Sequence, residues 1–65
     1  MMIRINAEQV EVDDEVTVAA LLQSLGYPER GIAVAVDQAV IPRSGWATTL
    51  SDGADVEVVT AVQGG

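Results

Sequence analysis

Thr17-Val18-Ala19-Ala20-Leu21-Leu22-Gln23-Ser24-Leu25-Gly26 decides how the rest of the chain is read. Val18, Leu21, Leu22 and Leu25 stand at i, i+3, i+4 and i+7, which lays one apolar stripe along a helix. Thr17 is placed as the N-cap, its hydroxyl accepting from a free backbone N–H. Asp13-Asp14-Glu15, just upstream, fall near the positive end of the helix dipole. Gly26 suits the left-handed position after the last turn, and Pro28 keeps the helix from resuming. The spacing therefore predicts one main helix near residues 18–25.

On both sides of this helix the period changes from 3.6 to 2. Met2-Ile3-Arg4-Ile5-Asn6 alternates, with Ile3 and Ile5 facing a core, and Gln9-Val10-Glu11-Val12 alternates again after a turn at Asn6-Ala7-Glu8. These two runs read as a hairpin. Downstream, Ile32-Ala33-Val34-Ala35-Val36 is wholly apolar and is expected to be a strand covered on both faces. Asp37-Gln38 makes a turn, Ala39-Val40-Ile41 a short strand ended by Pro42, and Arg43 to Thr49 an irregular stretch. Leu50-Ser51-Asp52-Gly53 turns into a last strand from Asp55 to Val62. There Val56, Val58, Thr60 and Val62 share one face, and Glu57, Val59 and Ala61 share the other. Two strands, a helix and then more strands indicate an α+β fold, a mixed sheet with one helix packed on one face. With the first and last strands parallel at its centre, that arrangement is the β-grasp. Residues 1–62 are read as a single domain, and 63–65 as a flexible C-terminal tail with no apolar side chain to bury.

Composition limits what such a domain does. The chain has 65 residues, no cysteine, no histidine and three arginines as its only cationic side chains. Disulfides, a zinc knuckle, thiol nucleophiles and a Schiff-base lysine are thereby excluded, and the commonest general base and metal ligand is missing. A self-contained enzyme is not expected, nor a catalytic residue, nor a bound cofactor. The net charge of −7 opposes nucleic-acid binding, which rests on cations neutralising phosphates, and opposes anionic membranes. It favours a basic partner surface or serves solubility alone. No stretch is long enough to span a membrane, and Met1-Met2-Ile3-Arg4 lacks the apolar core of a signal peptide. The expected location is cytoplasmic.

What remains for chemistry is carboxylates, a few hydroxyls, three arginines and the two termini. Gly64-Gly65 arises by chance at the end of roughly 0.5% of sequences, or as a cloning scar. Joined to a β-grasp order and an apolar last strand, it reads as a working tail. The stretch Val58-Val59-Thr60-Ala61-Val62-Gln63-Gly64-Gly65 resembles the end of the ThiS family, the ubiquitin-like sulfur carriers of thiamine thiazole biosynthesis. So do Ala33-Val34-Ala35-Val36-Asp37-Gln38-Ala39-Val40-Ile41-Pro42-Arg43, the following Trp46, and Asp52-Gly53-Ala54-Asp55. The resemblance covers essentially the whole chain. Gln63 departs from it, standing where many members have a small residue.

The resemblance implies a specific chemistry. An E1-like adenylyltransferase (ThiF-like), using Mg and ATP, activates the carboxylate of Gly65 as an acyl-adenylate. A cysteine desulfurase-derived sulfur donor then displaces AMP and leaves a C-terminal thiocarboxylate. Thiazole synthase (ThiG-like) takes the sulfur. Gly64 lets the backbone enter a narrow opening. Val59 and Ala61 are read as a small docking patch, with ordinary strand propensity explaining them equally. Trp46 is read as a lid over the core, Arg43 as a solvated side chain, and Asp13-Asp14-Glu15 as a charged turn, since it lacks the glycine and spacing of a calcium loop. The alternatives at this stage are a molybdopterin synthase small subunit-like sulfur carrier, a ubiquitin-like protein modifier, and a passive binding module with an accidental tail.

Overall fold

The computed structural model describes residues 1–28 and 30–60. The chain forms β1 (Met2–Ile5), β2 (Glu8–Glu11), α1 (Val18–Ser24), β3 (Ile32–Val36), β4 (Ala39–Ile41), a single 3-10 turn (Arg43–Gly45) and β5 (Asp55–Thr60). The five strands make one sheet in the order β2-β1-β5-β3-β4. β1 and β5 run parallel near its centre, and the other pairs are antiparallel. This is the β-grasp arrangement expected from the element order.

Helix α1 is set by its two ends. Thr17 Oγ1 accepts from Ala20 N at 3.1 Å. The first-turn amides of Val18 and Ala19 donate to Thr48 O and Trp46 O at 3.2 and 3.0 Å. The amides that a helix start leaves without intrahelical partners are thus bonded to the Thr17 hydroxyl and the 46–48 segment. At the other end Tyr27 N donates to Leu22 O and Gly26 N to Gln23 O, while Gly26 has a φ of +82°. This is a Schellman cap, and Tyr27 packs against the core cluster that includes Leu22. Val18, Leu21 and Leu22 are buried. Leu25 is not, being 42% exposed. The chain leaves the helix at Leu25, which is the C-cap, so its side chain misses the core-facing stripe. Upstream of the helix, the Asp14 carboxylate lies 3.2 Å from the Met1 amine.

The core comprises Ile3 and Ile5 of β1, Val34 of β3, Val56 and Val58 of β5, the α1 residues, and Leu50 and Ala54; no polar side chain is buried with them among the described residues. One helix covers one face of the sheet. β3 is accordingly covered on one face only: Val34 is buried while Ala33, on the opposite face, is exposed. The wholly apolar look of this strand comes from alanines, which are small enough to stand at a surface without exposing much apolar area. The 3-10 turn at Arg43–Gly45 replaces part of the irregular stretch expected there.

Both hairpins close with two-residue turns. In the first, Ile5 pairs with Glu8, so β2 begins at Glu8, which the sequence pattern had assigned to the turn, and ends at Glu11, with Val12 beyond it. Asn6 and Ala7 have φ values of 50° and 72°, and Asp37 and Gln38, in the second, 50° and 73°. Left-handed pairs of this kind match the twist of antiparallel strands, and Asn and Asp tolerate the region better than most residues. The first residue of each turn also grips β5. Val58 N donates to Asn6 Oδ1 at 2.9 Å and Asn6 Nδ2 donates to Val58 O at 3.3 Å. The side-chain amide continues the β1–β5 ladder where the β1 backbone turns away. Asp55 N donates to Asp37 Oδ1 at 3.0 Å, and Asp37 N donates to Asp55 O at 2.8 Å. Asn6→Ala removes both bonds to Val58 and leaves a part-buried amide without its acceptor, at a cost of about 1–3 kcal/mol. A urea midpoint lowered by that amount is the expected result; an unchanged midpoint would show that Asn6 does not hold β5.

Candidate functional site

β5 is the strand that leads to the two terminal glycines, and its placement follows from its alternation. Val56 and Val58 insert into the core, while Glu57 and Val59 face outward. On one side β3 pairs with it from Val36↔Val56 to Ile32↔Thr60. On the other, Arg4 N donates to Ala54 O, Asn6 N to Val56 O, and the Asn6 amide takes Val58. The strand is therefore fixed to its last described residue, Thr60. Ala61, Gly64 and Gly65, the expected end of the strand at Val62 and the boundary between domain and tail at 62–63 lie outside the described residues. The 5 residues after Thr60 can reach at most about 17 Å when extended.

The outer face of the sheet divides into two halves. Toward the end of β5 it is apolar, where Ala33 pairs with Val59, and the apolar surface continues through Ala35, level with Glu57, to Val40 on the outer strand; Val59 and Val40 are 62% and 75% exposed. Toward the start of β5 it is charged, with Arg4, Asp55 and Glu57 around a shallow hollow beside Asn6 and Ala7. Val59 thus stands on the open face, as its alternation with Val58 requires. Val40 extends the same patch and was not singled out from sequence. The signal was present in Ala39-Val40-Ile41, but only the Ala35↔Val40 register shows which face Val40 takes.

Trp46 is partly buried against the core and donates from Nε1 to Ile41 O at 3.2 Å, consistent with a lid. Arg43 is exposed, with its guanidinium carbon 5.7 Å from the centroid of the Trp46 ring. Among the described residues no group of three His, Cys, Asp or Glu side chains is placed to hold a metal ion. No helix among them is long and apolar enough to cross a membrane. What the described residues offer is a strand hydrogen-bonded on both edges and an apolar patch beside its end.

Comparison with known proteins gives this geometry a family. The crystal structure of a thiamine biosynthesis protein (ThiS) from Geobacter metallireducens is similar with a TM-score of 0.82 and 29% identity, covering 100% of both chains. The solution structure of a thiamine biosynthesis protein from the same organism gives a TM-score of 0.81 at 29% identity, over 100% of this chain and 88% of that one. No curated protein sequence matches the chain. The ThiS family model matches residues 3–65, a span that takes in the β-grasp sheet, the open patch and Gly64-Gly65. The chain belongs to the ThiS family.

Proposed function

We propose that the chain is a sulfur carrier of thiamine biosynthesis and that the carboxylate of Gly65 is its working group. The observation that carries this reading is the family match running through Gly65, joined to a β5 that is hydrogen-bonded on both edges as far as Val58. A carboxylate resists nucleophiles because its charge is delocalised and its leaving group would be oxide. Attack of a Gly65 oxygen on the α-phosphate of ATP expels pyrophosphate and gives an acyl-adenylate, whose AMP is a good leaving group. One hard step is thereby split into two easier ones. The outer sulfur of a persulfide displaces AMP to give an acyl disulfide, a second thiol cleaves its S–S bond and is itself oxidised to a disulfide, and the thiocarboxylate so released hands its sulfur to a thiazole synthase. Adenylation depends on positioning and on cations around the phosphates, so the E1-like adenylyltransferase supplies ATP, Mg and the cationic groups. A cysteine desulfurase-derived donor supplies the sulfur. This chain contributes aim, reach and a docking surface, not catalysis.

The test is ATP–pyrophosphate exchange by the adenylating enzyme with and without this chain. Exchange that depends on the chain, followed by sulfur transfer to thiazole synthase, is expected. No exchange above the enzyme's own background would overturn the proposal.

The apolar patch of Val59 and Val40 is proposed as the docking surface. Val59→Glu puts onto this patch a carboxylate that a complex must desolvate. It weakens binding to the adenylating enzyme by about tenfold or more, while the urea midpoint of the free chain changes little, since surface substitutions shift stability by about 0.5 kcal/mol or less. A large loss of midpoint with unchanged affinity of the folded fraction would remove Val59 from the docking surface.

A further inference from the structure

The two edges of β5 are hydrogen-bonded by different means. On one edge β3 pairs with it from Val36↔Val56 to Ile32↔Thr60. On the other, the backbone of β1 stops earlier. Ile5 is level with Val56, Asn6 N donates to Val56 O at 2.9 Å, and the chain then reverses through Asn6 and Ala7 into β2. Val58, next along that edge, is met by a side chain. Asn6 Oδ1 accepts from Val58 N at 2.9 Å and Asn6 Nδ2 donates to Val58 O at 3.3 Å. Few side chains can make this pair of bonds. Val58 offers a donor and an acceptor together, and a carboxamide carries the complementary acceptor and donor in one plane. An aspartate of the same shape would accept from Val58 N but set its second oxygen against Val58 O. The turn also requires the left-handed region, with a φ of 50° at Asn6, which Asn tolerates better than most residues. One residue thus closes the hairpin and extends the β1 ladder to Val58.

We propose that Asn6 is a positioning residue for the reaction at Gly65. It acts through Val58, fixing the base from which β5 delivers the tail to the adenylating enzyme. This rests on the sulfur-carrier reading above. Val58 points into the core and its neighbour Val59 outward, so the grip lies beside the docking patch and upstream of residues 61–65. With the amide removed, the stretch from Val58 to Thr60 is bonded along the β3 edge alone. Backbone held by few, solvent-exposed hydrogen bonds opens locally. Docking is preserved, because Val59 keeps its pairing with Ala33 and Val40 its pairing with Ala35. Attack is not: as the base of the tail loosens, fewer bound chains hold the carboxylate in line with the α-phosphate. A fixed displacement of about 1 Å costs on the order of a hundredfold in rate, and a base that fluctuates about the right place costs less, on the order of tenfold. A purely structural role has a different kinetic signature. It lowers the folded fraction, which raises the apparent KM for the carrier and leaves kcat at saturation intact.

The experiment compares Asn6→Gly and the control Ile3→Val with the unaltered chain. Glycine keeps the turn at positive φ and removes the amide. Ile3→Val loses a methylene from a buried side chain of β1 and leaves the grip in place. The measurements are affinity for the adenylating enzyme, kcat and the KM for the carrier in pyrophosphate exchange, and hydrogen exchange at the Val58 amide of the free chain. Asn6→Gly is expected to lower kcat at saturating carrier by about tenfold, with unchanged affinity of the folded fraction and faster exchange at Val58. Ile3→Val is expected to keep the kcat of the unaltered chain. If Asn6→Gly alone is poorly folded, the comparison is repeated on Ala7→Gly. That background places glycine at the φ of 72° held by alanine and completes the Asn-Gly pair that such turns favour. An unchanged kcat with a raised KM would overturn the proposal, since Asn6 would then serve stability alone. An equal loss of kcat in Ile3→Val, or an unchanged rate of exchange at Val58, would overturn it too. Weaker affinity of the folded fraction at unchanged kcat would overturn it in favour of a docking role. Absence of pyrophosphate exchange with the unaltered chain would instead bring down the sulfur-carrier reading, and this proposal with it.

Discussion

Removing Gly64 and Gly65 abolishes ATP–pyrophosphate exchange with the adenylating enzyme and leaves the melting temperature of the chain unchanged. The first half follows from chemistry and position: with no cysteine, lysine or histidine in the sequence, no side chain can carry sulfur or take an acyl group in place of the tail, and the carboxylate that truncation leaves on Gln63 falls short of the attack position. The second half follows from composition. Gln63, Gly64 and Gly65 bring no apolar side chain to a core that is built from β1, α1, β3, β5 and the loop before β5. The stability change should not exceed about 0.5 kcal/mol. A chain extended by one alanine after Gly65 still ends in a carboxylate, but displaces it. A shift of even about 1 Å costs on the order of a hundredfold in rate. Gly64→Val does comparable harm by adding bulk and restricting the backbone with a β-branched side chain. Near-normal exchange by the shortened or the extended chain would show that the tail is not the working part.

Leu21→Ala carries the largest expected cost in stability. Leu21 is 1% exposed, among the most deeply buried side chains, and its truncation removes buried methyl groups and leaves a cavity, at about 2–5 kcal/mol. Domains are stable by roughly 0.05–0.15 kcal/mol per residue, or about 3–10 kcal/mol for a chain of this length. The variant is therefore expected to be largely unfolded, or to unfold at a small fraction of the urea concentration that the unaltered chain requires. Leu25→Ala, at the exposed C-cap, should move the midpoint little. Equal losses at the two positions, measured by circular dichroism in urea, would contradict the packing described for α1.

The contrast between these two leucines shows where reading a sequence succeeds and where it stops. The stripe Val18-Leu21-Leu22 and the capping residues Thr17 and Gly26 are local signals, and the helix carries them out as written. Leu25 obeys the same spacing, yet the Schellman cap ends the helix there, and no periodicity rule reports that the last member of a stripe has left the face it belonged to. β3 is a second case. Five apolar residues in a row read as a strand covered on both faces, but Ala33 faces solvent, because the fold has a single helix and a single covered face. The two hairpin turns were visible as breaks in alternation, whereas the grip of Asn6 on Val58 joins residues 52 positions apart and left no local trace. The site divides the same way. Gly65 stood out because a terminal glycine pair is rare by chance and fits the resemblance to the family's tail, and Val59 because of its alternation with Val58. Val40 emerged only from the register that pairs it with Ala35.

The central claim is that the carboxylate of Gly65 is converted to a thiocarboxylate. The most direct measurement is the intact mass of the chain, and of its C-terminal fragment, after incubation with the adenylating enzyme, Mg-ATP, a persulfide sulfur source and a thiol reductant that cleaves the acyl disulfide. A mass increase equal to the exchange of one oxygen for one sulfur, confined to the fragment that ends in Gly65 and dependent on ATP, is the predicted result. An unchanged mass where pyrophosphate exchange proceeds, or a chain joined through Gly65 to lysines of other proteins in place of the sulfur product, would contradict it.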